Sequence, residues 1–337
     1  MMTPHIARTQ RGVTLIELMV GMLVGMLAVM LISQVLLVSE SQKRTTTGGA
    51  DAQVNGALAL YTMQRDLQMA GYGITSSPNV IGCPISARFN GATPAGGFAA
   101  NLVPVVITPE ASRGGAVGDA VRILASSKGS FSVPTRVIPP GYAVGNTDFP
   151  VRAGVGFAQG DLALVATNDV QPCWVFQVTA APAARSLPRA NTAWNSANAP
   201  DVAYGDGAVL MNLGTLVDTR YEINGNVLQS ISFDFANPAT SPRPAVAVQP
   251  DIVNLRAYYG RDTSVPMDGV IDVFDQTTPT TNAGWLRVLA VRLVVVARSS
   301  TFEKEQVTVA NPEWSVGTDP AVAGATSCAS GTGECIT

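Results

Sequence analysis

Residues 12–38 read GVTLIELMVGMLVGMLAVMLISQVLLV, an unbroken apolar run in which Glu17 is the one formally charged residue. Since a helix rises about 1.5 Å per residue, the stretch 13–38 would be about 39 Å long as a helix, which exceeds the roughly 30 Å hydrocarbon core of a bilayer. The run is too long for the apolar part of an ordinary secretory signal, and no A-x-A cleavage site follows it. The sequence therefore predicts a single-pass transmembrane helix over 13–38, and hydropathy alone would make it an uncleaved signal anchor.

The carboxylate within this span needs a partner, because a charge at bilayer depth costs about 2.5–3.5 kcal/mol even on insertion scales. A basic leader, residues 1–12, ends in Gly12, and a cut before Val13 would produce a free α-ammonium at the start of the apolar helix. A helical backbone holds Glu17 away from the amine of its own Val13. We therefore expect Glu17 to pair with the amine of a neighbouring subunit, and Thr14 to supply a cap-like hydroxyl.

Residues 12–20, GVTLIELMV, resemble the type IV prepilin motif. The resemblance implies that a prepilin peptidase in the membrane cleaves between Gly12 and Val13, and that the same enzyme N-methylates Val13. It also implies that Glu17, at the fifth mature position, neutralises the N-terminus of an adjacent subunit during assembly. The first mature residue of the family is usually Phe, so Val13 departs from the pattern. The departure is tolerable, because the peptidase selects mainly for the Gly before the cut.

The helix is expected to continue beyond the membrane, over 13–71 as a whole. An apolar stripe at three- and four-residue spacing marks the face that would pack on a domain, and it consists of Leu60, Met63, Leu67 and Ala70. Two adjacent glycines, Gly48 and Gly49, are expected to bend or fray the helix. The Gly-Tyr-Gly triplet at 71–73 is expected to stop it.

From residue 72 to 337 the pattern changes to short β-like runs between Gly, Pro, Asn and Asp clusters. The predicted strands are 103–108, 120–125, 162–166, 174–179, 208–212, 231–235, 252–259 and 285–297. The most apolar of them, VLAVRLVVV at 288–296, is expected to be a central strand with Arg292 at a sheet face or edge. Stretches 180–206 and 236–250 read as long surface loops, and the tail 311–337 as irregular. The predicted fold is α+β, a long N-terminal helix packed on a β-rich globular domain.

Several segments of the domain resemble the PilW family of minor pilins. They are RDLQMAGY at 65–72, GDLALV at 160–165, CWVFQVT at 173–179, NLRAYYG at 254–260 and VRLVVVARS at 291–299. The resemblance covers most of the chain and implies a minor pilin of a type IV pilus. Such a protein would join other minor pilins in a complex at the filament tip that primes assembly and, in many systems, displays an adhesin.

The same resemblance implies the partners and the location of the protein. The partners would be other minor pilins, the major pilin, the prepilin peptidase, the inner-membrane assembly platform and a tip adhesin. The chain would first lie in the inner membrane as a single-pass protein with its globular domain in the periplasm. It would then move to the pilus or its tip at the cell surface.

Composition argues against nucleic-acid binding and catalysis. The formal net charge is −3, from 21 Lys and Arg against 24 Asp and Glu, so no electrostatic footprint for nucleic acid is present. The single histidine, His5, lies in the leader, which argues against a histidine-based triad, general base or metal site in the domain. The sequence contains no P-loop and no G-x-S-x-G elbow. We therefore expect a protein that is not an enzyme and that binds no cofactor.

Four cysteines in an exported chain favour disulfides, and three pairings are possible. We predict a Cys83–Cys173 bridge, which would tie the exit of the long helix to the sheet. We also predict a Cys328–Cys335 bridge that closes a small C-terminal loop, because these two residues are close in sequence.

The segment 262–272 gathers three carboxylates, Asp262, Asp268 and Asp272, in one loop. Oxygen-rich loops can hold calcium, so these residues form a weak calcium candidate. The EF-hand spacing is absent, and the alternative is a solvated turn in which Asp side chains cap their own backbone. No other metal site is expected.

Two other functions share some of these features. A type II secretion pseudopilin has the same N-terminus, but those of the largest type tend to lack the glutamate that is present here as Glu17. A signal-anchored periplasmic binding protein or enzyme would retain its leader and would have a pocket with converging polar groups. The single histidine and the missing motifs weigh against this third hypothesis.

Overall fold

The computed structural model describes residues 12–94, 98, 101–128, 133–168, 170–302, 310, 312–317, 320–329 and 334–336. Residues 1–11 of the predicted leader, His5 among them, lie outside the described residues. The predicted fold class is confirmed, because a long apolar helix is followed by a β-rich region with several sheets.

Helix α1 runs over Leu15–Gln68, a length of 54 residues, against predicted bounds of 13 and 71. Thr14 has an extended backbone and its hydroxyl oxygen accepts from the backbone N–H of Glu17 at 3.3 Å, which makes it the N-cap. At the other end the chain turns through Gly71 and Gly73, whose φ angles of +79° and +75° favour glycine.

The prediction that the glycine pair bends or frays the helix is wrong, since α1 is continuous through Gly48 and Gly49. Gly48 is buried, and a Cβ added there would lie 2.3 Å from the Ser299 Oγ. Gly49 faces open space, with nothing within 4 Å of an added Cβ. The first glycine therefore permits a close approach of the helix to the domain rather than an interruption.

Short strands and turns make up the rest of the described chain. The strands are β1 (Ile85–Ser86), β2 (Val105–Thr108), β3 (Ala120–Ala125), β4 (Thr135–Arg136), β5 (Asp148–Pro150), β6 (Leu162–Ala166), β7 (Cys173–Gln177), β8 (Ser186–Pro188), β9 (Val209–Gly214), β10 (Val217–Asn224), β11 (Val227–Ser232), β12 (Val246–Pro250), β13 (Ile252–Arg261), β14 (Val273–Asp275), β15 (Val288–Ala297), β16 (Trp314–Ser315), β17 (Ala321–Val322), β18 (Thr326–Ser327) and β19 (Glu334–Ile336). The short helix α2 is Asn282–Trp285, and 3-10 turns lie at Pro78–Val80, Glu110–Ser112, Ser196–Asn198 and Pro238–Thr240.

Two of the sheets pack with α1. One, called the second sheet, has the strand order β12-β11-β10-β3-β2, and the other, called the third sheet, has the order β15-β13-β14-β17. Their shared core contains Ala59 and Met63 from the helix, Ile123 from β3, and Leu255 and Tyr259 from β13. The apolar stripe predicted on the second half of α1 thus faces this core, with Met63 fully buried.

A separate lobe is inserted between β3 and β10. This insertion lobe, residues 126–216, forms most of the first sheet, whose order is β1-β7-β6-β9-β4, and carries the small pair β5-β8. Its buried aromatic residues include Phe149, Phe176 and Tyr142, which stack on one another with ring centroids 4.0 and 4.5 Å apart. The lobe therefore has a core of its own beside the one that α1 covers.

The prediction of a central strand at 288–296 is wrong. Strand β15 is the outermost strand of the third sheet, paired with β13, and none of its residues is buried. A run of apolar residues indicates that both faces of a strand are covered, but it does not show whether the strand lies in the centre of the sheet or at its edge. Arg292 does lie on a sheet face, where its guanidinium is 3.9 Å from the centre of the Phe274 ring.

Other predicted boundaries also differ. The strand expected at 231–235 is β11, which begins at Val227 because Gly225 and Asn226, with positive φ angles, make a tight turn after β10. Trp285, expected at the start of a strand, lies in α2, which Thr281 caps through the N–H of Gly284. The stretches expected as loops at 180–206 and 236–250 contain β8 and β12, and the first of them buries Arg189.

Candidate functional site: the N-terminal helix and its junction with the domain

The predicted cleavage point lies in an exposed segment just before α1. Gly12, Val13 and Thr14 are all exposed, and 70% of the Val13 surface is open. The backbone of Thr14 is extended, so the helix begins only at Leu15. The peptide bond between Gly12 and Val13 is thus exposed and outside the helix.

The carboxylate of Glu17 lies in the first turn of α1, near the positive end of the helix dipole. This position is worth about 0.3–1 kcal/mol at an exposed site, which is less than the cost of a charge in a membrane. On the described part of α1 the ion pairs are Arg44–Glu40 and Arg65–Asp66, and neither includes Glu17. The helix dipole therefore offsets only part of this cost, and no ion pair on the described part of α1 offsets the rest.

The first half of α1 presents bare apolar surface. Among the described residues, α1 is long and apolar enough to cross a membrane, and none of its most apolar 18-residue window is buried in the protein. Its exposed side chains include Leu15, Ile16, Leu23, Leu31 and Leu37. Burying such side chains stabilises by about 1.5–3 kcal/mol each, so this half needs a bilayer or neighbouring helices around it.

The second half of α1 is clamped to the domain by polar contacts as well as by its apolar face. The Tyr221 hydroxyl of β10 donates to Asp66 Oδ2 at 2.5 Å. The Gln249 side-chain amide donates to Asn55 Oδ1 at 2.8 Å. Burial, and next the hydrogen bond to Asp66, raise the pKa of Tyr221, so its hydroxyl keeps its proton well into alkaline solution. These contacts fix the orientation of the helix relative to the sheets.

Both predicted disulfides are confirmed. Cys83 bonds to Cys173, and both are fully buried between the exit of α1 and the first sheet. The bridge lies beside the parallel pairing of β1 with β7, where Ile85 faces Cys173. Cys328 bonds to Cys335 and closes a small loop between β18 and β19.

The loop with the calcium candidate uses its carboxylates to hold its own backbone. Asp262 is almost fully buried and accepts from the N–H groups of Ser264, Asp268 and Gly269 at 2.8–3.0 Å. Asp272 accepts from the amides and hydroxyls of Thr263 and Ser264, and these hydrogen bonds lower its pKa. This geometry is that of the alternative interpretation, a turn whose Asp side chains cap its own backbone. Calcium binding stays a prediction.

A second group of possible metal ligands is already engaged in other bonds. Among the described residues, Glu313 lies with Cys328 and Cys335 so that one ligand atom of each falls within 4.8 Å of the others. Both sulfur atoms are in the disulfide, and the Glu313 carboxylate accepts from the Ala329 N–H at 3.0 Å. The group therefore serves to hold the C-terminal loop.

One feature that the sequence did not reveal is a groove of about 690 Å³ between the end of α1 and strand β15. Its walls are formed by Leu60 and Leu67 of the helix and by Val288, Leu289 and Val291 of the strand. The apolar character of residues 288–296 is the sequence feature that could have indicated this groove, but the same feature also predicts a strand in the interior of a sheet. The groove is open because the helix and the strand, in contact near Gly56 and Ala297, stand apart at this end.

Two family models match the chain. The prokaryotic N-terminal methylation motif matches residues 7–33, which contain the Gly12–Val13 bond and Glu17. The type IV pilus-assembly protein W family, PilW, matches residues 220–327, from β10 to β18. No curated protein and no solved structure matches the chain. The matched regions thus contain the exposed junction and most of the strands on which α1 packs, and they leave out the insertion lobe.

Proposed function

Since this chain is a type IV prepilin-like protein related to the PilW minor pilins, we propose that it is cut after Gly12, methylated at Val13 and assembled by α1 into a pilus. The observation that carries the proposal is the exposed Gly12–Val13 junction followed by a capped apolar helix whose first half is not buried by any described part of the chain. Pilin-family domains are structural rather than catalytic, and the role proposed here is structural.

Cleavage would supply a positively charged partner for Glu17. A cut at Val13 creates an α-ammonium at the edge of the apolar helix, and the extended backbone at Thr14 keeps that amine apart from the first helical turn. A neighbouring subunit displaced along the helix axis would bring its own Glu17 to this amine. Inside a membrane or a filament core an ammonium and a carboxylate are stable only as a pair, so this contact selects the register between subunits.

The rigid junction between α1 and the domain explains how assembly in the membrane positions the globular part. The membrane-spanning half of α1 anchors the chain, and the clamped half carries the domain at a fixed angle. We place the domain in the periplasm before assembly, since both disulfides require an oxidising compartment.

A place at the tip, in a complex of minor pilins that primes assembly, is supported by the size of the head. The insertion lobe, residues 126–216, adds a second core beside the sheets on which α1 packs. A bulky head is harder to repeat along a closely packed filament than to place once at its end. The match to PilW over 220–327 favours a pilus over a secretion pseudopilin.

Mass spectrometry of the N-terminal peptide from the native membrane fraction tests the proposal. We expect a peptide that starts at N-methyl-Val13. A chain that still starts at Met1 or Met2, in cells whose major pilin is processed, would overturn the proposal and leave an ordinary signal-anchored periplasmic domain. Recovery of the protein in isolated filaments is the second measurement, and its absence from filaments that contain other minor pilins would also count against the proposal.

A further inference from the structure

The most apolar strand of the domain lies where it is least covered. Within the described residues, β13 is the one strand that pairs with β15, so the other edge of this ten-residue strand is open. No residue of β15 is buried, and Leu289 is 45% exposed. An open edge presents a row of unpaired N–H and C=O groups that can pair with another chain.

Lysine and proline, two usual protections of a sheet edge, do not occur in β15. Natural edges carry lysines, prolines or inward-pointing charges, or are very short. The sequence of β15, VLAVRLVVVA, has one charged residue, Arg292. Its guanidinium is not directed to the edge, because it stacks on the rings of Phe274 and Trp314 at 3.9 and 5.6 Å from their centres. Among the described residues, no second strand covers this edge of β15.

The groove adjoins this strand on the side of α1. Leu60, Gln64 and Leu67 form one wall, and Val288, Leu289 and Val291 form the other. None of the residues that line the groove is charged. Side chains of an added strand would alternate between this groove and the opposite face of the sheet, since successive residues of a strand point to opposite sides.

We propose that the groove and the edge of β15 together receive an extended, uncharged, apolar segment of another subunit of the pilus, which adds a strand to the third sheet. Edge pairing requires an extended main chain, which a helix does not offer. The lining also argues against a charged segment, because no charged residue of the groove would compensate the cost of removing that charge from water. The wall formed by α1 continues the helix that enters the filament, so a neighbour packed along that helix reaches the groove. This last step rests on the proposed function.

The first test is Leu289→Lys in the full-length chain in native cells, with Val246→Lys as the matched control. Val246 is 61% exposed and lies in β12, the edge strand of the second sheet. We expect Leu289→Lys to lower recovery of the chain in isolated filaments about tenfold, as loss of one central contact does. Val246→Lys should match the wild type. Equal recovery of the two variants would overturn the proposal.

A second measurement does not depend on a charged variant that folds poorly. Amide hydrogen exchange of the peptide that covers 288–293 is compared between detergent-solubilised single subunits and isolated filaments. We expect slower exchange in filaments, because a new strand would occupy the open edge. Unchanged exchange there, in filaments that contain the protein, would overturn the proposal.

A photocrosslinking residue at position 289 identifies the occupant. The expected adduct is with an extended, uncharged segment of another pilus subunit, whereas an adduct between two copies of position 289 or with a helix would overturn the proposal.

The N-terminal peptide distinguishes failure of this strand addition from failure of the proposed function. If it starts at N-methyl-Val13 while Leu289→Lys assembles normally, the proposed function stands and the strand addition fails; if it starts at Met1 or Met2, the proposed function itself fails.

Discussion

The two halves of helix α1 have the same secondary structure and different surroundings. Over residues 15–38 every side chain is exposed. Beyond Gly48 the helix buries Ala59 and Met63, and Asn55 and Asp66 accept hydrogen bonds from the sheets. The first half is thus incomplete without a membrane or neighbours, while the second half is held to the domain by contacts within the chain.

This difference separates two kinds of substitution. Changes in the first half should alter assembly and leave the stability of the domain unchanged. Changes in the second half, or in the domain that holds it, should alter stability and leave membrane insertion and processing unchanged. The expected effects below run from the largest to the smallest.

Removing the Cys83–Cys173 bridge should have the largest effect. The bridge closes a loop with a sequence separation of 90, against 7 for Cys328–Cys335. Chain entropy then predicts that the free energy of unfolding falls by about 4–5 kcal/mol in the double variant Cys83→Ser, Cys173→Ser. The fall is about 2–3 kcal/mol when the C-terminal pair is replaced. Urea unfolding of the detergent-solubilised chain measures both. Processing at Val13 should persist in each variant, and equal losses for the two pairs would contradict the loop-length argument.

Glu17→Gln should act on assembly alone. A neighbour's ammonium would lose its counter-charge in an apolar environment, at a cost of about 3 kcal/mol, so recovery in filaments should fall about a hundredfold. The melting temperature of the domain should not change. The matched control is Glu40→Gln, a carboxylate on the same helix that is 62% exposed and lies 3.6 Å from Arg44. Normal filament content of Glu17→Gln would show that Glu17 needs no partner.

The sequence predicted those parts of this comparison that depend on local pattern. The apolar run and the stripe through Met63 predicted α1, and strands 120–125 and 162–166 were predicted with the bounds that the structure has. Each of these elements has a hydrophobic period or a turn signal within its own residues. The cysteine pairing also followed from position along the chain and from the exported context.

The errors concern relations between distant segments. Gly48 is typical of a helix breaker, and only the structure shows its close approach to Ser299, two residues after the end of β15. The run at 288–296 reads as an interior strand because apolarity does not record which neighbours lie beside it. Arg189 reads as a loop residue, yet it is buried and donates to the backbone carbonyls of Ala199, Asn195 and Asn146. None of these contacts has a periodic signature in the sequence.

The adjacent glycines allow a sharper test of where the helix becomes part of the domain. Alanine favours a helix over glycine by about 1 kcal/mol, so Gly49→Ala, which points into open space, should raise the free energy of unfolding by that amount. At Gly48 the new methyl would meet Ser299, and overpacking should cancel this gain and cost about 1 kcal/mol more. Denaturant unfolding of the two variants measures the difference. If both variants are stabilised equally, the helix does not press on Ser299.

The smallest effect is expected at the polar clamp, with Tyr221→Phe. Loss of the hydrogen bond to Asp66 should lower the free energy of unfolding by about 1 kcal/mol near neutral pH. The control is Tyr61→Phe, at an exposed tyrosine of helix α1.

The pKa of Tyr221 is raised in the folded state, so the unfolded chain loses this proton first as the pH rises. The clamp therefore stabilises fully below about pH 10, and its contribution declines progressively as the pH rises from there through the raised pKa of the folded state. Tyr204 and Tyr259 remain in both variants, so Tyr221→Phe should weaken the alkaline fall in stability without abolishing it. An identical fall in Tyr221→Phe and wild type would mean that the clamp does not hold α1.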